Sequence, residues 1–151
     1  MGSGSSVTSE INKPYIYISY NADDKLNLYI EILRDELVNK NRNVVYSELT
    51  VNNLKKYSYS EISLNLNNII NNTSHFIACI SKETLNSFYQ AIEIDTALNS
   101  YKEVVYLMLD EVYTPLNDNC VKGIVGHNKW FPFYKKKHVF DIIHYIIDLN
   151  L

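Results

Sequence analysis

Tyr15-Ile16-Tyr17-Ile18-Ser19-Tyr20 is the stretch on which the reading of the fold turns. It is short, β-branched and aromatic, and reads as a buried strand. A polar step, Asn21-Ala22-Asp23, follows at once. Leu26, Tyr29, Ile30, Leu33 and Leu37 then recur at helical spacing, with Glu31, Arg34 and Asp35 on the other face. Asn21 is the expected start of that helix, with Asp24 three residues on as a capping-box-like partner. A strand that turns directly into an amphipathic helix is the opening unit of an alternating α/β chain.

The alternation continues outward from this unit. Residues 44–46 form a second short strand pattern. Beyond a polar, irregular loop, Ser58 and Glu61 make a Ser-x-x-Glu capping box for a helix carrying Ile62, Leu66, Ile69 and Ile70. Residues 76–80 are the third strand. Asn86 or Ser87 caps a third helix that runs to about Leu98, and Ser87 and Gln90 again have capping-box spacing. Residues 104–109 are apolar throughout, as a central parallel strand should be. A long connection with Pro115, Gly123 and Gly126 leads to a fifth strand at 130–133. The last helix places Val139, Phe140, Ile143, Ile146 and Ile147 on one face. This order predicts an α/β fold: a flavodoxin-like, doubly wound, five-stranded parallel sheet of order 2-1-3-4-5 flanked by helices. Ligands in such sheets bind at the carboxyl ends of the strands where the strand order reverses. Here that rule selects Ser19, Tyr20, Asn21 and Ser81.

Composition bounds the partners. The chain has 151 residues and 46% apolar residues, enough for one domain with one core. The formal net charge is -3, and Lys135, Lys136 and Lys137 form the one basic cluster, so no nucleic-acid partner is expected. No apolar stretch has the length of a membrane span, so no membrane insertion is expected. The two cysteines, Cys79 and Cys120, have neither metal-like spacing nor a disulfide framework, and a reducing, cytoplasmic setting is the simplest expectation. His75, His127, His138 and His144 are scattered, so no metal site is expected. Residues 1–12 open on Met-Gly-Ser-Gly-Ser-Ser and read as a tag-like or flexible start, which leaves 13–151 as the domain.

Two doubly wound alternatives lack their chemistry here. The loop after the first strand has no glycine for a flavin phosphate, and Ser81 stands where a receiver domain needs a phospho-accepting aspartate. No GxGxxG or Walker loop is present. The remaining match is by resemblance. Tyr15 to Tyr20 resembles the first box of Toll/interleukin-1 receptor (TIR) domains, an apolar strand ending in Ile-Ser-Tyr, and Asp24 resembles the acidic residue that follows it. His75 to Ser81 resembles the family's third strand. Ser87-Phe88-Tyr89-Gln90-Ala91-Ile92-Glu93 resembles the segment written Ser-x-Trp-Cys-x-x-Glu, with Ala97 in the place of its small residue. The fourth and fifth strands resemble their counterparts at Val104 to Asp110 and Trp130 to Phe133. Tyr89 and Gln90 depart from the usual Trp and Cys. Ser47 stands where many members carry Asp, and residues 48–57, at the family's BB loop, hold neither Gly nor Pro.

The resemblance implies one of two functions. Some TIR domains cleave NAD+ at the nicotinamide-ribose bond, giving nicotinamide and ADP-ribose or a cyclic product, and act in self-associated form in immune or cell-death signalling. Others are adaptors that bind further TIR domains without chemistry. The helix around Glu93 resembles the NAD+-cleaving class, which implies Glu93 as the catalytic carboxylate. Ser19, Tyr20 and Tyr89 are then expected at the substrate, with NAD+ as substrate and no separate cofactor. The chemistry fits one carboxylate: nicotinamide in NAD+ is already cationic and leaves without a proton, and an oxocarbenium-like transition state is stabilised by a nearby anion. Blander readings stand beside these. A helix glutamate is commonly just solvated, Tyr89 fits a core or interface aromatic, Tyr20 fits a cap on the sheet edge, and Ser81 reads as a satisfied strand-end hydroxyl. An adaptor would use the 47–57 loop and the surface of the third helix.

Overall fold

The computed structural model describes residues 15–24, 27–47 and 58–149. The tag-like start and the 48–57 loop singled out in the sequence lie outside the described residues. Five parallel strands form one sheet in the order β2-β1-β3-β4-β5. They are β1 (Tyr15–Ser19), β2 (Asn43–Tyr46), β3 (Thr73–Ile80), β4 (Val104–Met108) and β5 (Trp130–Pro132). Among the described residues, five α-helices connect and cover them: α1 (Leu28–Asn39), α2 (Tyr59–Asn71), α3 (Phe88–Asn99), α4 (Asn119–Val125) and α5 (Lys136–Asp148). The expected fold and strand order are both present.

β1 organises the two faces. Ile16, Ile18 and Tyr20 join a core with Leu33 and Leu37 of α1 and Val139, Ile143 and Ile146 of α5. Tyr17, between them in sequence, joins the opposite core with Leu66 and Ile70 of α2 and Ala97 of α3. This is the two-residue period of a strand buried on both faces. Ser19 pairs with Ala78 of β3, and Ile18 with Tyr46 of β2, so the carboxyl ends of β1, β2 and β3 lie side by side.

The start of α1 differs from the sequence expectation. Asn21 does not begin the helix; its Oδ1 accepts the Asp23 N–H at 2.9 Å within a single 3-10 turn, Ala22–Asp24. Asp24 cannot complete a capping box because its carboxylate accepts a hydrogen bond from the Ser81 hydroxyl. The helix starts at Leu28, where Asn27 Oδ1 accepts the N–H groups of Tyr29 (2.9 Å) and Ile30 (3.2 Å). The box at Ser58 and Glu61 is present in both directions. At α3 only half of one forms: Ser87 Oγ accepts the Gln90 N–H at 3.1 Å, while the Gln90 side chain donates to the Cys79 carbonyl at 2.8 Å. β3 begins three residues earlier than its apolar run, because Thr73 already pairs with Tyr15 and its hydroxyl donates to the Ile70 carbonyl at 2.7 Å. On α5, Ile142 takes the buried place expected of Phe140, which is exposed.

No helix among the described residues is long and apolar enough to cross a membrane.

Candidate active site

Four elements meet at the switch point, and three of them supply the side chains gathered there. β1 presents Tyr17 and Ser19 on the face turned toward α3. β2 ends at Tyr46 and delivers Ser47 immediately after it. β3 ends beside β1, and α3 lays Glu93 against that junction. Ser87 and Gln90 fix the start of α3 against the end of β3 through the bonds already described, so the depth of Glu93 is set one helical turn away.

Glu93 is completely buried, with 0% of its surface exposed. Its carboxylate is surrounded by hydroxyl donors. Tyr17 donates to Oε2. Ser19 Oγ donates to Oε1 at 3.0 Å. Ser47 Oγ lies 2.9 Å from Oε1 and 2.8 Å from Oε2. Ser47 is held in turn by the Tyr20 amide, which donates to its oxygen at 2.9 Å. Burial pushes the Glu93 pKa up to about 8, and the hydrogen bonds from Tyr17, Ser47 and Ser19 pull against that rise. Desolvation dominates because it penalises the charged form more than three neutral donors restore. No neighbouring charge enters the balance among the described residues. The result is an acid that is protonated at neutral pH while enclosed and becomes an anion above about 8 or on contact with solvent.

The expected site residues separate into two groups. Glu93 and Ser19 are in direct contact. Tyr20 contributes only its backbone amide, through Ser47; its ring lies on the other face of the sheet, stacked 6.4 Å from Tyr46. It therefore does not wall a pocket around Glu93, contrary to the expectation, because the strand period turns every second side chain away. Tyr89 is half-buried against the same core as Tyr17, one turn before Glu93. Asn21 and Ser81 stand on the neighbouring rim: Asn21 Nδ2 donates to the Glu83 carbonyl at 3.4 Å, and Ser81 Oγ accepts the Glu83 N–H at 3.2 Å besides donating to Asp24. Ser81 is thus a satisfied strand-end hydroxyl. Asp24 itself is raised above the usual carboxylate range by burial, against the pull of Ser81.

Sequence reasoning missed Tyr17 and Ser47 as site residues. Tyr17 was hidden inside an apolar strand pattern, where its ring fills the core and its hydroxyl reaches Glu93. Ser47 carried a signal, as a departure from the aspartate common at that place, but nothing local connected it to Glu93, 46 residues later.

Other chemistry is thin. The Cys79 thiol is fully buried and pushed up by that burial, far from a reactive thiolate. Among the described residues no group of three or more His, Cys, Asp or Glu side chains is placed to hold a metal ion. Two surface concavities, one of about 380 Å³ lined by Arg34, Val38 and Tyr46 and one of about 200 Å³ lined by Thr84, Ile94 and Asp95, do not include Glu93.

The fold defines a class, a doubly wound α/β domain whose helix after the third strand packs an acid against the first. The TIR domains of the activated Roq1 resistosome, solved while directly recognizing the pathogen effector XopQ, share this fold with a TM-score of 0.64 and 13% sequence identity. The match covers 92% of this chain and 100% of that one. No protein-family model matches the sequence, and no curated protein does.

Proposed function

We propose that this chain is a TIR-type NAD+ hydrolase, in which Glu93 stabilises the cleavage of the nicotinamide-ribose bond. The observation that carries the reading is the convergence of β1, β2 and α3 on one buried carboxylate at the switch point of the sheet. Burying an unpaired ionisable group is costly, and apolar residues fill such positions when only packing is required. A retained acid with a raised pKa at the ligand-binding edge of an α/β sheet is a site candidate on physical grounds.

In the reaction, the bond between nicotinamide and the ribose C1′ breaks and its electron pair goes to the pyridinium nitrogen, which leaves neutral. Positive charge develops on the ribose as an oxocarbenium ion. Ionised Glu93 stabilises that charge, and in a low-dielectric pocket the attraction is stronger than in water. Water then adds to C1′ and releases a proton to solvent, giving ADP-ribose; or a ring nitrogen of the adenine adds through its lone pair, with any proton lost to solvent coming from the exocyclic amino group, giving the cyclic form. We assign Ser19 and Tyr89 to the lining of the substrate site. Substrate reaches the acid only after it is uncovered, and we assign that uncovering to self-association. Phe88, 69% exposed at the start of α3, is apolar surface suited to such a contact. The structural neighbour comes from an assembled resistosome, which is consistent with a domain that acts in company. A cytoplasmic setting fits a substrate of this kind.

A second reading draws on one observation, the complete enclosure of Glu93. A fully enclosed acid met by three hydroxyl donors also suits an adaptor that binds other TIR domains and has no chemistry. The two are separated by incubating the wild-type protein with NAD+ at high protein concentration in the presence of a crowding agent. Release of nicotinamide that grows faster than linearly with protein concentration supports the hydrolase. TIR-TIR association without nicotinamide release supports the adaptor.

A further inference from the structure

Tyr17 is a polar residue where the strand pattern requires only an apolar one. It is completely buried, and its ring stacks on Phe76 with centroids 5.1 Å apart and planes 8° from parallel. Packing alone would be served by phenylalanine. The hydroxyl is therefore the informative part, because a buried phenol must find a partner, and this one reaches Oε2 of Glu93. The two other donors differ in kind. Ser19 and Ser47 sit at strand ends, and each places its oxygen by a single side-chain torsion. The Tyr17 hydroxyl is fixed by a stacked ring two residues deeper along β1, away from the carboxyl end where a ligand enters.

We propose that Tyr17 is a positioning residue for Glu93: its phenol anchors Oε2 from below and so fixes the carboxylate while Oε1, met only by serine hydroxyls, turns to the substrate ribose. The proposal rests on the hydrolase reading for the last clause and on the geometry alone for the first. Tyr17 touches no substrate. It acts through Glu93, holding the rotamer and favouring the ionised form, since a donor to a carboxylate stabilises the anion. Of the side chains that hydrogen-bond Glu93 among the described residues, Tyr17 is the one with an ionisable group, and the other two are serine hydroxyls. β2 brings the neutral Ser47, and α3 brings no charge that shifts Glu93.

The test uses the full chain and the substitution Tyr17→Phe, which keeps the ring and the stack and removes one oxygen. The Glu93 carboxyl is followed by carbon NMR against pH, its signal assigned by loss in Glu93→Gln, and kcat and KM for NAD+ are measured over the same range. Loss of one hydrogen bond to a charged acceptor is expected to raise the midpoint by about one pH unit. The acid limb of kcat/KM should move with it, and kcat should fall about tenfold while KM holds within about twofold. Phe76→Leu, which loosens the stack and keeps the hydroxyl, is expected to leave the midpoint in place. A midpoint unmoved in Tyr17→Phe, or moved equally in both variants, overturns the proposal. A wild type that does not cleave NAD+ overturns the hydrolase reading instead, and the carboxyl titration still decides whether Tyr17 controls Glu93.

Discussion

At the scale of single residues, the account turns on the ionisation of Glu93. If the anion is the working form, kcat/KM for NAD+ is low in acid and rises through the pKa of the free enzyme, about 8 in the enclosed state. A pH profile flat from 6 to 9 would contradict that assignment. The same shift bears on stability, with the sign set by where the proton is held more tightly. The folded protein keeps its Glu93 proton up to about 8, whereas an unfolded chain loses it near the ordinary value of 4.5. Stability from this group is therefore complete below about 4.5 and drains away as pH rises through 8, by at most ~1.4 kcal/mol per pH unit. Glu93→Gln removes the titration, so the variant is expected to gain stability relative to wild type between pH 5 and pH 8. Urea unfolding at the two pH values checks this, and a difference between the proteins that does not change with pH would refute it.

The residue scale is also where the sequence was least informative. Glu93 was singled out by resemblance to TIR domains, and its local spacing carried no such message. The reason lies in α3, where Gln90, Ile92, Glu93, Ile94 and Ala97 are all buried. Those positions run around more than one face, so the helix shows no clean apolar stripe against which an inward acid would stand out. Tyr17 and Ser47 were not connected to Glu93 for a related reason. Each directs one oxygen at a residue far away in sequence, and periodicity reports only on local structure.

At the scale of elements, local rules succeeded where a side chain was free to act locally. The Ser58 and Glu61 box forms because both groups are exposed and uncommitted. The expected boxes at Asn21 and Ser87 failed because Asp24 and Gln90 are recruited by β3, one by Ser81 and one by the Cys79 carbonyl. Tertiary hydrogen bonds outcompeted capping at both places, and both lie at the carboxyl edge of the sheet. A specific expectation follows for α1. Asn27→Ala removes the observed cap and should cost about 1 kcal/mol, whereas Asn21→Ala, which leaves the cap of α1 intact, should cost clearly less. Chemical denaturation of the two variants side by side measures the difference, and the reverse order would show that α1 starts where its sequence pattern suggested.

At the scale of the whole molecule, the fold was legible because five strand patterns alternate with helical ones and short connections leave few topologies open. The central strands are fully buried on both faces, and one element, β1, supplies side chains to both cores. Leu33 of α1 is completely enclosed in the first core, so Leu33→Ala should lower stability by about 2–5 kcal/mol. Its effect on Glu93 should be small, because the acid belongs to the opposite face; a thermal melt and the carboxyl titration together check both halves of that statement. The enclosure of Glu93 has a consequence at this scale too. On the proposed reading, substrate meets the enclosed acid only once it is uncovered, and self-association is the event assigned to that step.

The most direct test of the account compares nicotinamide release from NAD+ by wild type and by Glu93→Gln, at matched high protein concentration with a crowding agent and with folding verified by circular dichroism. Release by the wild type that is abolished in the folded variant is the predicted result. Equal release by the two proteins would contradict it, and would remove Glu93 from the centre of the site.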